Sequence, residues 1–541
     1  MRIWFLAITA VTLAVFYPSL SHIPRSDQLC YLIQAGQYDD LHSLITKFYS
    51  FPRTAEYGGG RMREDQSPKG DNFLFRPFVY IVLGLEERFF GFSFSLWQLF
   101  GVVVHLLNLW ILLNLLLKIR VSLFAPLSVL CFAVMFIGHE MVIWTNMNGY
   151  VLAYSLLLAA LYHAYCHACE GQTQVWRLLA ILTCLTLACF AYEPALFAGF
   201  FLAVFLIFVH PGPASMEKQP AKPRAGGMPL RKAWNACLLL PAIPYVIADQ
   251  LDRVVHGGVS PGIAVLGKIK PLQVLDTTVC ILTKFFYAGI CPRLEEVRLA
   301  GDRQVWHPRW GWGGSDYAIE LLPLVLLLLI LAIGVIRRAP FRAQTSEQDR
   351  RARISTAFLG MLVCLMGTIT LLMVGGRLSD RGIGYLQMSL YFAYQLWAFY
   401  TLILYALGHL IITYWPLSGS ARIMRSVLMA VIVFSTAANA YCTYAADLAI
   451  AHHYQPQRDF LARCSRFVAL HKSDPNFSFC FQTPSPGDII IPGFYREADP
   501  MDRVYRMSEI IYGKYMRADK PSVIVRDNGK EIVETSTTGK E

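Results

Sequence analysis

Apolar stretches, each long enough to cross a bilayer as a helix, alternate with short polar segments along most of the chain. Eleven are recognised, at approximately 3–20, 94–117, 121–138, 150–167, 176–192, 194–210, 233–250, 317–336, 355–374, 386–413 and 426–448. A hydrocarbon core about 30 Å thick takes roughly 20 helical residues, so each stretch reads as a transmembrane helix. Ser19 and Ser21 stand at small-residue positions of a signal-peptidase site, but the first stretch is read as a retained anchor. Between the runs the pattern changes. Residues 27–49 carry apolar side chains at helical spacing (Leu29, Leu32, Ile33, Leu41, Leu44, Ile45, Phe48) and predict an amphipathic helix on the membrane surface. Residues 272–290 are apolar but interrupted by Asp276 and Lys284, which suits a surface-lying helix better than a span. No internal repeat is present.

Composition agrees with this pattern. Of 541 residues, 55% are hydrophobic and only 16% charged, against roughly 25% charged in soluble domains. Mean hydropathy is +0.43. The net charge of +11 is concentrated in short loops between apolar runs, which points to membrane topology rather than to nucleic-acid binding. Residues 211–232 carry Lys218, Lys222, Arg224, Arg231 and Lys232; residues 337–353 carry Arg337, Arg338, Arg342, Arg350, Arg351 and Arg353. Lys118 with Arg120, and Arg422 with Arg425, mark two more loops. With the N-terminus in the cytoplasm, all four clusters fall on the cytoplasmic side.

This alternation divides the chain into a membrane domain, 1–448, and an extracytoplasmic tail domain, 449–541. The fold class expected is an all-α polytopic membrane protein. Residues 21–93 and 251–316 form long outer loops. Most of the thirteen cysteines lie in apolar runs, where a thiol behaves as a small hydrophobe. Cys464 and Cys480 share the polar tail, where an oxidising compartment permits a disulfide. The motifs G-x-x-x-x-G-K-[ST], H-E-x-x-H and G-x-S-x-G and the Rossmann fingerprint are all missing, so ATP-driven transport and zinc hydrolysis have no support.

Candidate chemistry collects at the outer ends of the spans. Asp27 follows the first span closely, and Asp39 and Asp40 lie on the amphipathic segment after it. His139-Glu140 ends the third span. Glu193 sits in the hairpin Tyr192-Glu193-Pro194, too short to leave lipid depth, where an ionisable group is expensive unless paired or functional. Arg76 precedes Pro77 at the start of an apolar amphipathic stretch. Arg377 and Arg381 occupy a glycine-flanked outer loop against the positive-inside trend. Their planar forks suit a phosphate as well as they suit Asp380 or Glu193.

In order and in side, these segments resemble the GT-C membrane glycosyltransferases, in particular the protein O-mannosyltransferase-like branch. The resemblance is carried by Phe75-Arg76-Pro77-Phe78, by Gly91 with Trp97-Gln98-Leu99-Phe100, and by His105-Leu106-Leu107-Asn108. It continues through His139-Glu140-Met141-Val142 and Ala191-Tyr192-Glu193-Pro194-Ala195-Leu196, where Tyr192 replaces the family's lysine. It covers roughly residues 1–210, and beyond them mainly the topology. The resemblance implies a GT-C-like bundle of about eleven helices and inverting sugar transfer from a polyprenyl-phosphate carrier to a protein or glycan acceptor. It implies Asp27 as catalytic acid-base residue, with Asp39 and Asp40 as rivals because Ser26 replaces the first of the family's paired acids. Glu140 takes the second acidic position. Arg76, His105, Glu193, Arg377, Arg381 and Tyr385 form the expected substrate-binding set. The cofactor is left unassigned: a divalent metal near Glu140 is compatible with the family, and the sequence requires none. The compartment expected is a bacterial inner membrane with the site facing the periplasm. A polysaccharide polymerase or ligase, and a non-enzymatic transporter of lipid-linked sugars, are the competing classes. A transporter favours mid-membrane charges and inverted repeats, and this sequence has neither.

Overall fold

The computed structural model describes residues 1–22, 77–91, 93–136, 139–144, 147–170, 175–191, 195–209, 237–256, 289–290, 292–299, 303–309, 347–378, 393–414, 419–453, 455–471, 473–474, 477–481, 523–527 and 530–537. The expected surface helix over 27–49, the span over 317–336 and most of 272–290 lie outside them.

The first 210 residues fold as their apolar runs dictate. Helix α1 (Arg2–Phe16) continues as a 3-10 turn, Tyr17–Ser21, opened by Pro18, whose fixed φ suits a first helical turn. Helix α2 (Pro77–Phe90) likewise begins on a proline and lies in the first outer loop. It is followed by α3 (Phe94–Ile119), apolar all round, as a helix buried between neighbours must be. Then come α4 (Phe124–Ala133), the five-residue α5 (His139–Ile143), α6 (Asn148–Glu170), α7 (Val175–Cys189) and α8 (Ala195–Val209). Further on are α9 (Ala242–His256), α10 (Glu347–Leu378), α11 (Ala393–Tyr414), α12 (Gly419–His453) and, in the tail, α13 (Gln455–His471).

Four described helical segments are long and apolar enough to cross a membrane, Arg2–Ser21, Phe94–Ile119, Asn148–Cys169 and Ala421–His452, which makes the chain an integral membrane protein. Helices α1, α3, α4, α6, α7, α8, α10 and α11, with Ile432 of α12, share one hydrophobic core. Helices alternate in direction through it. At one end Arg120 donates to Thr413 Oγ1 (2.7 Å) and Tyr165 meets Ser355 (2.8 Å), which gathers the ends of α3, α6 and α11 with the start of α10. Lys118, Arg351 and Arg353 belong to these helix ends.

Several expectations are corrected. The run 121–138 is not one continuous helix: α4 stops at Ala133 and Val134 leaves the helical conformation (φ −112°, ψ 19°). The reason is a side-chain capture by α12. Asn439 Oδ1 accepts the Phe136 N–H (3.1 Å), and Thr443 Oγ1 donates to the Val134 carbonyl (3.0 Å), so these backbone groups bond outside their own helix. The run 233–250 is displaced: a 3-10 turn, Cys237–Leu239, precedes Pro241, and α9 runs on to His256. The fold is not purely α-helical. An antiparallel hairpin pairs β1 (Arg293–Leu299) with β2 (Arg303–Arg309) in the fourth outer loop. In the tail, β3 (Phe479–Phe481) runs parallel to β4 (Val523–Asp527), and β4 pairs antiparallel with β5 (Ile532–Thr537). Helix α13 packs against this sheet through Phe467, which meets Phe477 and Phe479 at 5.7 and 5.5 Å. Cys464 is buried on α13, and the side chain of Cys480, its expected disulfide partner, lies outside the described residues.

Candidate functional site at the outer end of the bundle

The end opposite the basic loops gathers the exit of α1 with parts of α2, α3, α5, α6, α12 and α13 and the turn after α7. Ser95 Oγ donates to the Leu20 carbonyl (2.8 Å), setting the end of α1 against the start of α3. His22 Nε2 donates to the Asp447 carbonyl (2.9 Å), and Arg458 donates to the carbonyls of Ser21 (2.7 Å) and Ala451 (3.1 Å). The chain therefore leaves α1 pinned between α12 and α13. Asp27, Asp39 and Asp40 follow from there and lie outside the described residues.

Helix α2 forms the second wall. The Phe78 N–H donates to the Phe190 carbonyl (3.3 Å), a backbone bond between the first turn of α2 and the turn after α7. Arg76 lies two residues before this bond and Glu193 three residues after it; both are outside the described residues. Val79 packs with Ala153 and Ala191. Gly149 is required here, because a Cβ would stand 2.8 Å from Val79 Cα. Farther along α2, Glu86 is buried and accepts from Asn148 Nδ2 (2.6 Å), which also donates to the Trp97 carbonyl (3.2 Å). Glu86 Oε2 has no hydrogen-bond partner among the described residues. Burial pushes this carboxyl well above its ordinary value, and the Asn148 hydrogen bond offsets only part of that.

The connection between α4 and α6, which the charge pattern predicts to be the second outer loop, carries α5 between these walls. Helix α5 begins with His139, whose Nδ1 donates to the Phe136 carbonyl and whose Nε2 is 3.6 Å from Asp447 Oδ1. Both residues are buried. Glu140 is the second residue of α5. At the far end of α5 the Val142 carbonyl presses on α3 so closely that a Cβ on Gly101 would lie 2.5 Å from it.

Asp447 is the last rung of a polar ladder. Ser435, Asn439, Thr443 and Asp447 recur every four residues on α12, each fully buried, and so occupy one helix face. Ser435 donates to the Gly289 carbonyl and meets Tyr400 (3.3 Å). Asn439 Nδ2 also donates to Gly289 (2.8 Å). Sequence reading missed the ladder because these residues sit inside an apolar run; their four-residue spacing was the available signal.

His105 lies deeper. It is 1% exposed, with Nε2 donating to the Ala133 carbonyl (3.1 Å) and Nδ1 accepting from Tyr394 Oη (2.8 Å). Asn108 Nδ2 donates to Tyr394 Oη (3.0 Å) and to the Val151 carbonyl (3.0 Å), and Ser155 donates to Asn108 Oδ1 (2.6 Å). Both ring nitrogens of His105 are thus engaged by the bundle itself, joining α3, α4 and the first turn of α11. Arg377 is not on a loop: α10 continues to Leu378 through Gly375 and Gly376, which puts Arg377 in its last turn. Arg381 and Tyr385 lie outside the described residues. Among the described residues no three His, Cys, Asp or Glu side chains are grouped to hold a metal ion.

No family model and no curated protein matches the chain. Among solved structures it is similar to the archaeal oligosaccharyltransferase AglB from Archaeoglobus fulgidus, in complex with an inhibitory peptide and a dolichol-phosphate. That match has 11% identity and a TM-score of 0.39, and covers 97% of this chain and 69% of that one. It is also similar to ArnT from Cupriavidus metallidurans bound to undecaprenyl phosphate, with 13% identity, a TM-score of 0.34 and coverage of 97% and 93%. Likenesses at these scores carry no argument, and the functional reading rests on the residues.

Proposed function

We propose that the chain is an integral-membrane inverting glycosyltransferase of the GT-C type, transferring a sugar from a polyprenyl-phosphate carrier to an acceptor on the outer face. One observation supports this most. Four segments that carry the sequence resemblance meet at a single end of the bundle, away from the basic loops. These are the exit of α1 leading to Asp27, the first turn of α2 after Arg76, helix α5 with Glu140, and the turn leading to Glu193. Chain connectivity keeps Asp27, five residues past His22, within about 18 Å of the Asp447 carbonyl region.

In this reading Asp27 takes the proton of an acceptor hydroxyl, and the oxygen attacks the anomeric carbon from the face opposite the leaving group. The C–O bond to the carrier phosphate breaks, and the polyprenyl phosphate departs with the bonding electrons. Arg377 and Arg381 stabilise the charge that grows on it, with Arg76, Glu193 and Tyr385 holding the donor. Glu140 serves as the second acidic group, and Asp39 and Asp40 are the alternatives to Asp27. His105 contributes from behind, by fixing the start of α11 against α3. The reading keeps eleven crossings, a periplasmic site in a bacterial inner membrane, and a protein or glycan acceptor.

The test is release of undecaprenyl phosphate from a panel of undecaprenyl-phosphate-linked hexoses and pentoses by purified protein in nanodiscs. Acceptor-dependent release with at least one donor is expected. The Arg377→Ala and Arg381→Ala variants should weaken donor affinity and lower the single-turnover rate, and lysine should restore it only partly, because a point charge lacks the fork. No release across the panel, with no binding of undecaprenyl phosphate itself, overturns the reading.

A further inference from the structure

We propose that Asp447 is a positioning residue for the transfer reaction, setting helix α5 and hence Glu140 through its contact with His139. The proposal deepens the glycosyltransferase reading and rests on it for its kinetic consequence, but its structural basis is independent.

A carboxylate fully buried near the end of an apolar helix is costly unless engaged. Asp447 is engaged by an element distant in sequence, His139, at an ion-pair distance of 3.6 Å. With His139 Nδ1 donating to the Phe136 carbonyl, only a doubly protonated ring turns an N–H toward the carboxylate. The Phe136 ring stacks on the His139 ring at 5.2 Å and 14°, and the Phe136 N–H is held by Asn439. The entry to α5 is therefore tied to α12 by backbone hydrogen bonds and by the approach of the His139 ring to the Asp447 carboxylate, and the rungs at Asn439, Thr443 and Asp447 all face the stretch from Val134 to His139.

The exit from α5 is fixed separately, by the contact of the Val142 carbonyl with Gly101 and by Asn148, which bonds both Glu86 and the Trp97 carbonyl. Glu140 follows His139 directly, so its backbone position is set by two anchors. One, Asp447, belongs to the helix that also receives the exit of α1 through His22. The Asp447 backbone carbonyl receives His22 while its carboxylate faces His139, so the exit of α1 and the entry to α5 meet at one residue of α12. A five-residue helix has too few internal hydrogen bonds to hold its own place, and a displacement of about 1 Å at a reacting group costs on the order of 10²-fold in rate.

The experiment compares wild type with Asp447→Ala, Asp447→Asn and Asp447→Glu, measuring kcat, donor KM and amide hydrogen exchange in nanodiscs. Asp447→Ala is expected to lower kcat by on the order of 10- to 100-fold, with donor KM changed less than about twofold, and to raise exchange in 139–144 while α3 and α6 stay protected. Asp447→Asn should resemble alanine in kcat, and Asp447→Glu should recover part of the loss by restoring the charge. Unchanged exchange and kcat in the alanine variant overturn the proposal, as does a loss of protection spread evenly over α3 and α6, which marks general destabilisation. If wild type transfers no sugar yet Asp447→Ala loosens 139–144 alone, the anchor stands and the glycosyltransferase reading falls.

Discussion

Asn148 Nδ2 donates to Glu86 Oε1 across 2.6 Å, joining the outer helix α2 to the first turn of α6. No cation is paired with Glu86 among the described ion pairs and its Oε2 has no partner among the described residues, so burial raises its pKa with the Asn148 hydrogen bond opposing it. Such a group is held in the folded protein as the neutral acid.

The sign of the pH effect follows. A carboxyl whose folded pKa lies above its ordinary value is neutral in both states at low pH, and there its contribution is fully present. Above the ordinary carboxylate range the unfolded chain releases the proton and the folded one keeps it, so stability falls as pH rises toward the folded value. Glu86→Gln keeps the acceptor oxygen for Asn148 and removes the titration. Thermal unfolding in detergent between about pH 5 and pH 9 should show wild type losing stability relative to the glutamine variant as pH rises. Parallel curves would mean that Glu86 is ionised in place.

Gly101 tests how tightly the second outer loop is held against α3. An added Cβ would meet the backbone carbonyl of Val142 at 2.5 Å and, at 2.6 Å, Oδ1 of the Asn148 side chain, which its hydrogen bonds to Glu86 and the Trp97 carbonyl hold in place. Gly101→Ala should therefore destabilise by about 1–3 kcal/mol and displace the loop. Gly360 on α10 has nothing within 4 Å of the same added atom. Gly360→Ala should be neutral or stabilising by up to about 1 kcal/mol, since alanine is the better helix former. Melting temperatures of the two variants in one detergent decide the matter, and equal effects would count against the close approach at Gly101.

How far these contacts are legible in the sequence depends on what carries the signal. Helices α1, α3, α6, α7 and α8 coincide with their apolar runs within a few residues, because in lipid a long apolar segment has little choice but to satisfy its backbone internally. The run 121–138 misleads for the same reason: its composition is that of a span, but Phe136 and Val134 bond to Asn439 and Thr443, some 300 residues away. Asp447 and Glu86 are visible as residues but not as sites, since each acquires its meaning from a partner on another helix. The tail strands are short, and β3 finds β4 across more than forty residues, a pairing that no local pattern specifies. His105 was legible through the resemblance, but its engagement with Tyr394 and the Ala133 carbonyl was not.

Tyr394 separates a structural from a substrate-binding part for His105. Its hydroxyl donates to His105 Nδ1 and accepts from Asn108 Nδ2, all inside the bundle. Tyr394→Phe leaves an acceptor and a donor buried without that partner, at about 1–3 kcal/mol for each group left unsatisfied. Stability should fall, while donor KM of the folded fraction should change by less than about threefold, because no contact with the donor is removed. A donor KM raised tenfold or more would instead put His105 in contact with substrate.

Asp27 carries the most direct prediction of chemistry. The exit of α1 is fixed by three hydrogen bonds, from Ser95 to Leu20, from Arg458 to Ser21 and from His22 to Asp447. The residue therefore enters the first outer loop from a rigid point beside His139 and α5. In the proposed reading, the Asp27 carboxylate receives the proton of an acceptor arriving from the aqueous side while the donor's phosphate is held at the membrane surface. Asp27→Asn preserves shape and hydrogen-bonding capacity but cannot take a proton, so kcat should fall by about 10²–10⁴-fold while donor affinity and yield in the membrane persist. Alanine at Asp39 or Asp40 should leave most of the turnover. If Asp27→Asn turns over near the wild-type rate, the base is one of those two residues or Glu140, and the same rate measurement on Asp39→Asn, Asp40→Asn and Glu140→Gln identifies which.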